Sequence, residues 1–275
     1  MIIVGAAGRM GRRITALAAE SKKFDIIGAI EDKNCPQIGK DLGQTGIKIS
    51  SEFPAKADLS AIAFSSSVAL AKEEAKADVV IDFSLPAAFD STVNYCLGNN
   101  CALVLGTTGL SAEQIKKIDE AAKKIPVIQA TNMSVGMNLL FELVGQVAKK
   151  LGDEYDIEIT EAHHRFKKDS PSGSAMTLAE RIAAATNKKI PDCLDIGRKG
   201  KEAFRKKGTI GMQAVRLGDT VGEHSVMFGT LGETVTISHS AHSRDTFAAG
   251  AIRAALWLVG KKTGRYSMAD VLGLK

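Results

Sequence analysis

The sequence predicts an α/β fold: a parallel sheet wrapped by helices first, then an α+β region with a mostly antiparallel sheet. Three observations carry that expectation. Short, wholly apolar runs such as Ile2-Ile3-Val4, Val79-Val80-Ile81 and residues 101–105 alternate with helical stretches. Strands with no polar face belong to sheets covered on both sides. Gly5, Gly8 and Gly11 then fall between the first such run and a helical stretch, where a chain must turn tightly from strand into helix. Residues 210–217, 224–230 and 233–240 instead alternate apolar with polar residues between glycines, as half-buried antiparallel strands do.

Composition narrows the functional classes. The 275 residues are 45% apolar and 24% charged, which suits one or two globular domains rather than a disordered chain. A net charge of +5 with only 5% aromatic residues argues against nucleic acid as a partner. No apolar run is long enough to span a bilayer, so no membrane association is expected. Cys35, Cys96, Cys101 and Cys193 form no CxxC pair and no metal-ligand spacing. Met1 leads at once into a strand and a glycine turn rather than a secretory leader. A cytoplasmic location is expected.

Residues 1–11 read MIIVGAAGRMG, a G-x-x-G-x-x-G variant of the dinucleotide fingerprint, with a helix expected over 12–21. A second strand is expected over 24–30, ending at Glu31, about 20 residues beyond the last glycine, where an acid accepts from a ribose hydroxyl. Together these predict a Rossmann-type parallel sheet. Residues 35–51 read as an irregular connector; 58–76 read as a short apolar run, a turn at Ser65-Ser66-Ser67, and a helical stretch. Asp82, Phe83 and Ser84 follow the strand at 79–81, at the carboxyl end where open α/β sheets bind ligands. A helix is expected over 87–97. Gly106, Thr107 and Thr108 end the next strand and suit close approach of a nicotinamide or its ribose. Ser111 and Gln114 form a capping-box pattern, and a further strand is expected over 125–129.

Residues 130–136, reading ATNMSVG, break the βα rhythm and mark a domain edge; an apolar helix is expected over 138–151. The alternating run at 156–160 predicts a half-buried strand leading into EAHHRFKKDSPSGSA, residues 161–175. That loop concentrates His163, His164, Arg165, Lys167 and Lys168 before a helix expected over 174–185. Helix starts present N–H groups and a positive dipole end, so a basic loop running into one suits a small, multiply charged anion. Histidine and lysine beside it are candidate proton donors. His224, His239 and His242 read as hydrogen-bonded structural histidines. A helix is expected over 246–260.

The pattern EAHHRxKxDxPSGxA resembles the signature of the 4-hydroxy-tetrahydrodipicolinate reductase (dihydrodipicolinate reductase) family, nicotinamide-dependent enzymes of lysine and diaminopimelate synthesis. The likeness extends over nearly the whole chain, through GRMG, the A-x-N-x-S-x-G run at 130–136, GTIGMQAVRLGDTVGEHSVMF and SRDTFAAGAIRAALWL. It implies His163 as acid/base and Lys167 as second proton donor. His164, Gly173 and Ser174 would bind a small dicarboxylate substrate. Gly5, Ala6, Ala7, Gly8, Arg9 and Met10 would meet the dinucleotide, with Glu31 on its ribose. Gly106, Thr107 and Thr108, then Ala130, Thr131, Asn132 and Met133, would lie toward the nicotinamide. It also implies a dinucleotide-binding domain of residues 1–131 and 241–275, a substrate and tetramerisation domain of 132–240, and a homotetramer. Phe166 stands where the family often has a third histidine.

Other readings compete. One is another two-domain nicotinamide oxidoreductase, such as an amino-acid dehydrogenase; another is a non-catalytic dinucleotide sensor. A metal at His163-His164 is disfavoured because adjacent histidines rarely share an ion, so no metal site is expected. Cofactor choice turns on Glu31 and Asp32, which favour NADH, against Lys33, Arg9, Arg12 and Arg13, which favour the NADPH phosphate. NADH is expected to serve at least as well as NADPH.

Overall fold

Strand β1 (Ile2–Val4) sits within a seven-stranded sheet in the computed structural model, which describes residues 1–43, 45–55 and 77–274. Its neighbours are β2 (Gly28–Ile30) on one side and β4 (Val79–Asp82) on the other. Beyond β2 lies β3 (Ile49–Ser50); beyond β4 lie β5 (Ala102–Leu105), β6 (Pro126–Gln129) and β12 (Gly264–Tyr266). Every pairing is parallel. The chain winds outward from β1 in one direction and from β4 in the other. The switch point therefore lies at β1/β4, where open α/β sheets bind ligands.

The apolar strands explain the two-sided cover. Ile3, Val79, Ile81 and Val104 face one core with α1 (Arg9–Ser21) and α6 (Asp245–Leu258). Ile2, Val4, Val80, Leu103 and Leu105 face another with α2 (Phe89–Asn99) and α3 (Ala112–Ala122). The capping box at Ser111 and Gln114 is formed. Helix α7 (Met268–Leu272) completes this unit, which comprises residues 1–134 and 245–273.

The second unit, residues 135–244, holds a five-stranded sheet in the order β11-β10-β7-β9-β8. The strands are β7 (Asp156–His163), β8 (Leu194–Ile196), β9 (Ile210–Arg216), β10 (Gly222–Thr230) and β11 (Glu233–Ala241). β10 pairs antiparallel with β7 and β11, which accounts for most of the ladder; β9 joins β7 in parallel and β8 joins β9 in parallel. Helices α4 (Val135–Leu151) and α5 (Gly173–Ala185) cover one face. There Leu140, Phe141 and Val144 meet Leu178, Ile182, Ile157, Ile159, Met212, Val226 and Phe228.

Several expectations need correcting. α1 begins at Arg9, three residues early, because Gly8 takes the extended N-cap conformation and Gly11 packs inside the first turns. The second strand covers only Gly28–Ile30, and α2 starts at Phe89 after a 3-10 turn, Pro86–Ala88. α4 starts at Val135, so Gly136 lies within it. The connector at 35–51 carries β3 and an Asp41–Lys48 bridge. β8, β12 and α7 had no counterpart in the sequence reading; each is five residues or shorter. The reading of residues 58–76 lies outside the described residues.

Candidate functional site

In the first unit, the carboxyl ends of the parallel strands gather the expected cofactor residues. Gly5 has φ +76°, and a Cβ there would stand 2.7 Å from the Phe83 carbonyl oxygen, so only glycine fits the turn after β1. Gly5 and Ala6 donate their N–H groups to the Ile30 carbonyl, at 2.9 and 3.1 Å. Ala7 N–H reaches Glu31 Oε2 at 2.9 Å, and Asp32 N–H reaches Glu31 Oε1 at 3.2 Å. Glu31 is thus fixed against the glycine turn. Gly8 precedes the first turn of α1, which carries Arg9 and Met10 and no acidic residue. The positive end of that helix is therefore uncompensated by a carboxylate of its own, which favours a bound phosphate.

A cavity of about 500 Å³ opens beside this turn. Glu31, Asp32 and Lys33 line it on one side and Phe53, Ser84 and Leu85 on another. Phe53 stacks on Tyr95 with ring centroids 4.4 Å apart. The glycine cradle, the open helix start and the fixed acid fit a dinucleotide.

Other residues have roles the sequence did not reveal. Asp82 is fully buried; its Oδ1 accepts from Ser84 N–H at 2.8 Å, Ser84 Oγ at 2.6 Å and Thr107 Oγ1 at 3.0 Å. Through Oδ1 it ties two strand-end loops together. Gly106 is required by the Phe83 ring, which a Cβ would meet at 2.4 Å. Thr107 is buried and Thr108 exposed. Ala130 N–H bonds to the Leu105 carbonyl, Asn132 Oδ1 accepts from Ser134 N–H at 2.9 Å, and Thr131 is exposed. Gly250 in α6 lets that helix press on the same turn: a Cβ there would overlap the Met133 carbonyl oxygen.

In the second unit, strand alternation builds the site. Ile157, Ile159, Glu161 and His163 share one face of β7. Register sets His224 of β10 opposite Glu161 and Arg216 of β9 beside His163. Glu161 has no exposed side-chain surface. Its Oε2 meets His163 Nδ1 at 2.6 Å and Arg216 Nη1 at 2.8 Å. Its Oε1 accepts from Arg216 Nη2 at 2.8 Å and Ser172 N–H at 3.0 Å. Burial alone would raise its pKa; the bonds from His163, Arg216 and Ser172 outweigh that and bring it down to about 2.

Ser172 caps α5, accepting from Ala175 N–H at 3.2 Å, and its hydroxyl lies 3.2 Å from His224 Nε2. Burial, and then the neighbouring His163, lower the His224 pKa to about 3, so this histidine is neutral at physiological pH. Gly173 is the first residue of α5 and exposed, with open space where a Cβ would stand; Ser174 is buried. His164 is half-buried, its ring 6.4 Å from Phe166, which is 79% exposed. Lys167 pairs with Asp169 at 2.9 Å, and the Asp169 carbonyl accepts from Arg216 Nη2 at 2.8 Å. The structure brings His163, Gly173 and Ser174 close to this network through Glu161 and Ser172. Glu161 and Arg216 were missed as site residues. Continuing the β7 alternation one step puts a carboxylate on the buried face, and a buried carboxylate demands a cation. Among the described residues no cluster of three or more His, Cys, Asp or Glu is arranged to hold a metal, and no helix is long and apolar enough to cross a membrane.

Comparison with known proteins fits both halves. Residues 1–133 match the family model described as dihydrodipicolinate reductase, N-terminus, and residues 136–272 match its C-terminus counterpart. The 4-hydroxy-tetrahydrodipicolinate reductase of Anaeromyxobacter dehalogenans is 45% identical over 281 residues, covering 100% of this chain and 98% of its own. That of Alkalilimnicola ehrlichii is 42% identical over 278 residues, covering 99% and 98%. Dipicolinate-bound dihydrodipicolinate reductase from Paenisporosarcina sp. TG-14 shares the fold, with a TM-score of 0.65 over 98% of this chain and 97% of that one, at 23% identity. The chain belongs to the 4-hydroxy-tetrahydrodipicolinate reductase family, oxidoreductases of lysine and diaminopimelate synthesis with an NAD(P)-binding N-terminal domain.

Proposed function

We propose that His163 and Lys167 supply the proton in the reduction of 4-hydroxy-tetrahydrodipicolinate, and that His164, Gly173 and Ser174 hold its carboxylates. The observation that carries this reading is the Glu161–His163 bond, 2.6 Å long, on a buried strand face next to the capped start of α5. A bound nicotinamide supplies the hydride. The chain's residues do the rest. The first turn of α5 offers backbone N–H groups to one carboxylate, and His164 stands by for the other. Imidazole and ammonium groups quench the negative charge that hydride addition leaves on the ring. A dicarboxylate ligand agrees with the dipicolinate bound by the Paenisporosarcina enzyme. Replacing His163 or Lys167 by Ala should lower kcat by about 10² or more, while His164→Ala raises KM. Near wild-type kcat in both His163→Ala and Lys167→Ala would overturn the assignment.

Residues 1–131 with 241–275 serve as the dinucleotide-binding domain and 132–240 as the substrate and tetramerisation domain, in a cytoplasmic enzyme. NADH serves at least as well as NADPH. Glu31 is fixed to accept from a ribose 2′-hydroxyl, a charge-assisted bond of about 1.5–3 kcal/mol. One competing cation is engaged elsewhere: Arg13 forms a two-pronged pair with Asp245 at 2.5 and 2.7 Å. Arg9 and Lys33 are exposed, and such charges contribute only about 0–1 kcal/mol. A homotetramer would assemble on the face of the second sheet opposite α4 and α5, which exposes Val215. Sedimentation of the full chain reads that state directly.

A further inference from the structure

We propose that Glu161 and Arg216 are positioning residues: they fix His163 with Nδ1 as hydrogen-bond donor, direct Nε2 to the reactant, and set the pH at which His163 gives up its proton. The inference rests on the reading of His163 as the proton donor.

Four donors surround the Glu161 carboxylate: His163 Nδ1, both terminal nitrogens of Arg216, and Ser172 N–H. Ionised, the carboxylate can only accept. His163 Nδ1 must therefore carry hydrogen in the neutral ring as well as in the imidazolium, and the proton that comes and goes is on Nε2. Nε2 lies beside Gly222, where a Cβ would stand only 3.2 Å away, so the missing side chain leaves this nitrogen room.

The charges facing the ring come from each element packed on it. Glu161 is on its own strand and Arg216 on β9. On β10, His224 meets His163 edge to face with centroids 5.2 Å apart, and is neutral. The following loop brings His164 and the Lys167–Asp169 pair, and α5 brings the Ser172 cap. Glu161 favours the imidazolium; Arg216, bound to the same carboxylate by two nitrogens, opposes it. The two act on the ring through one carboxylate, which orients it.

Removing either charge exposes the other, so the two single variants must act with opposite sign. Glu161→Gln should move the His163 midpoint down and Arg216→Gln should move it up, each by about one to three pH units. The double variant, with two amides, should fall between them. A merely structural role gives no reason for opposite signs.

The experiment is side-chain nitrogen NMR on the full chain with labelled histidine, alongside the pH profile of kcat. The chain has only five histidines, and His163→Asn assigns the signal. Expected are an Nδ1-protonated neutral tautomer in the unaltered protein and opposite shifts in the singles. If Glu161→Gln fails to fold, Arg216→Gln against Arg216→Lys carries the test: the first raises the midpoint, and the second, keeping the charge, does not. An Nε2-protonated neutral ring, midpoints that move the same way, or midpoints that do not move would overturn the proposal. Opposite NMR shifts with an unmoved kcat profile would uphold the positioning and overturn the reading of His163 as donor.

Discussion

The candidate sites of the two units are built by different physical means. In the first, the site is mostly backbone: glycines that let strands and helix approach, a helix start without acids, and one acid held by two N–H groups. In the second, it is a buried or half-buried set of side chains in which Glu161, Arg216, His163, His224 and Ser172 each lean on the next. The difference follows from what must change during reaction. A dinucleotide has to be held in one place, and fixed dipoles do that without altering their charge. A proton donor has to change charge, and only titratable groups with tuned neighbours do that. The first unit should therefore respond to shape, and the second to pH.

The largest effect should come from shape. Gly5→Val puts a side chain against the Phe83 carbonyl in a backbone conformation that β-branched residues avoid. Cofactor affinity, measured by calorimetry, should fall by about 10² or more while the kcat pH profile of the residual activity stays put, since the second unit is untouched. Loss of the proposed general acid in His163→Ala comes next, at about 10² in kcat, and should leave cofactor affinity unchanged.

Stability against pH separates the units further. The folded pKa of His224, about 3, lies below its ordinary value of 6.5, so the unfolded chain binds the proton first. His224 therefore contributes stability above pH 6.5 that is lost as pH falls toward 3. Replacing it by Asn should flatten the acid dependence of the melting temperature across that window. The folded pKa of Glu161, about 2, is likewise below its ordinary 4.5, so its contribution is present above pH 4.5 and lost on the way down to 2. Glu161→Gln should remove that lower step. Steps that survive both substitutions would place the acid sensitivity elsewhere. The smallest effect is in cofactor choice: Asp32→Arg should improve kcat/KM for NADPH more than for NADH, by roughly the tenfold that 1.4 kcal/mol represents.

Legibility in the sequence divided along the same line. The first unit's frame was readable because its strands are apolar throughout and its glycines are spaced for a strand-to-helix turn; Glu31 stands where that spacing put it. Short elements were not readable, because Gly264–Tyr266 or Leu194–Ile196 is too brief to show a period. Asp82 was readable as a strand-end residue but not as a buried tie, since only tertiary structure brings Thr107 to it. In the second unit the central loop stood out by its charge, but Arg216 lies 55 residues from Glu161 and reads as one more cation on an alternating strand. His224 was readable as a hydrogen-bonded histidine, though its partner Ser172 was not.

The central claim, that a backbone-built dinucleotide site and a titratable dicarboxylate site serve one reduction, has a direct test. Folded protein is mixed with NADH, and separately with NADPH, and nicotinamide oxidation is followed after adding enzymatically generated 4-hydroxy-tetrahydrodipicolinate. The account predicts substrate-dependent oxidation, with NADH at least as effective as NADPH. No oxidation above background with either cofactor would contradict the assigned reaction, and a preference for NADPH of about tenfold or more, some 1.4 kcal/mol, would contradict the role given to Glu31 and Asp32.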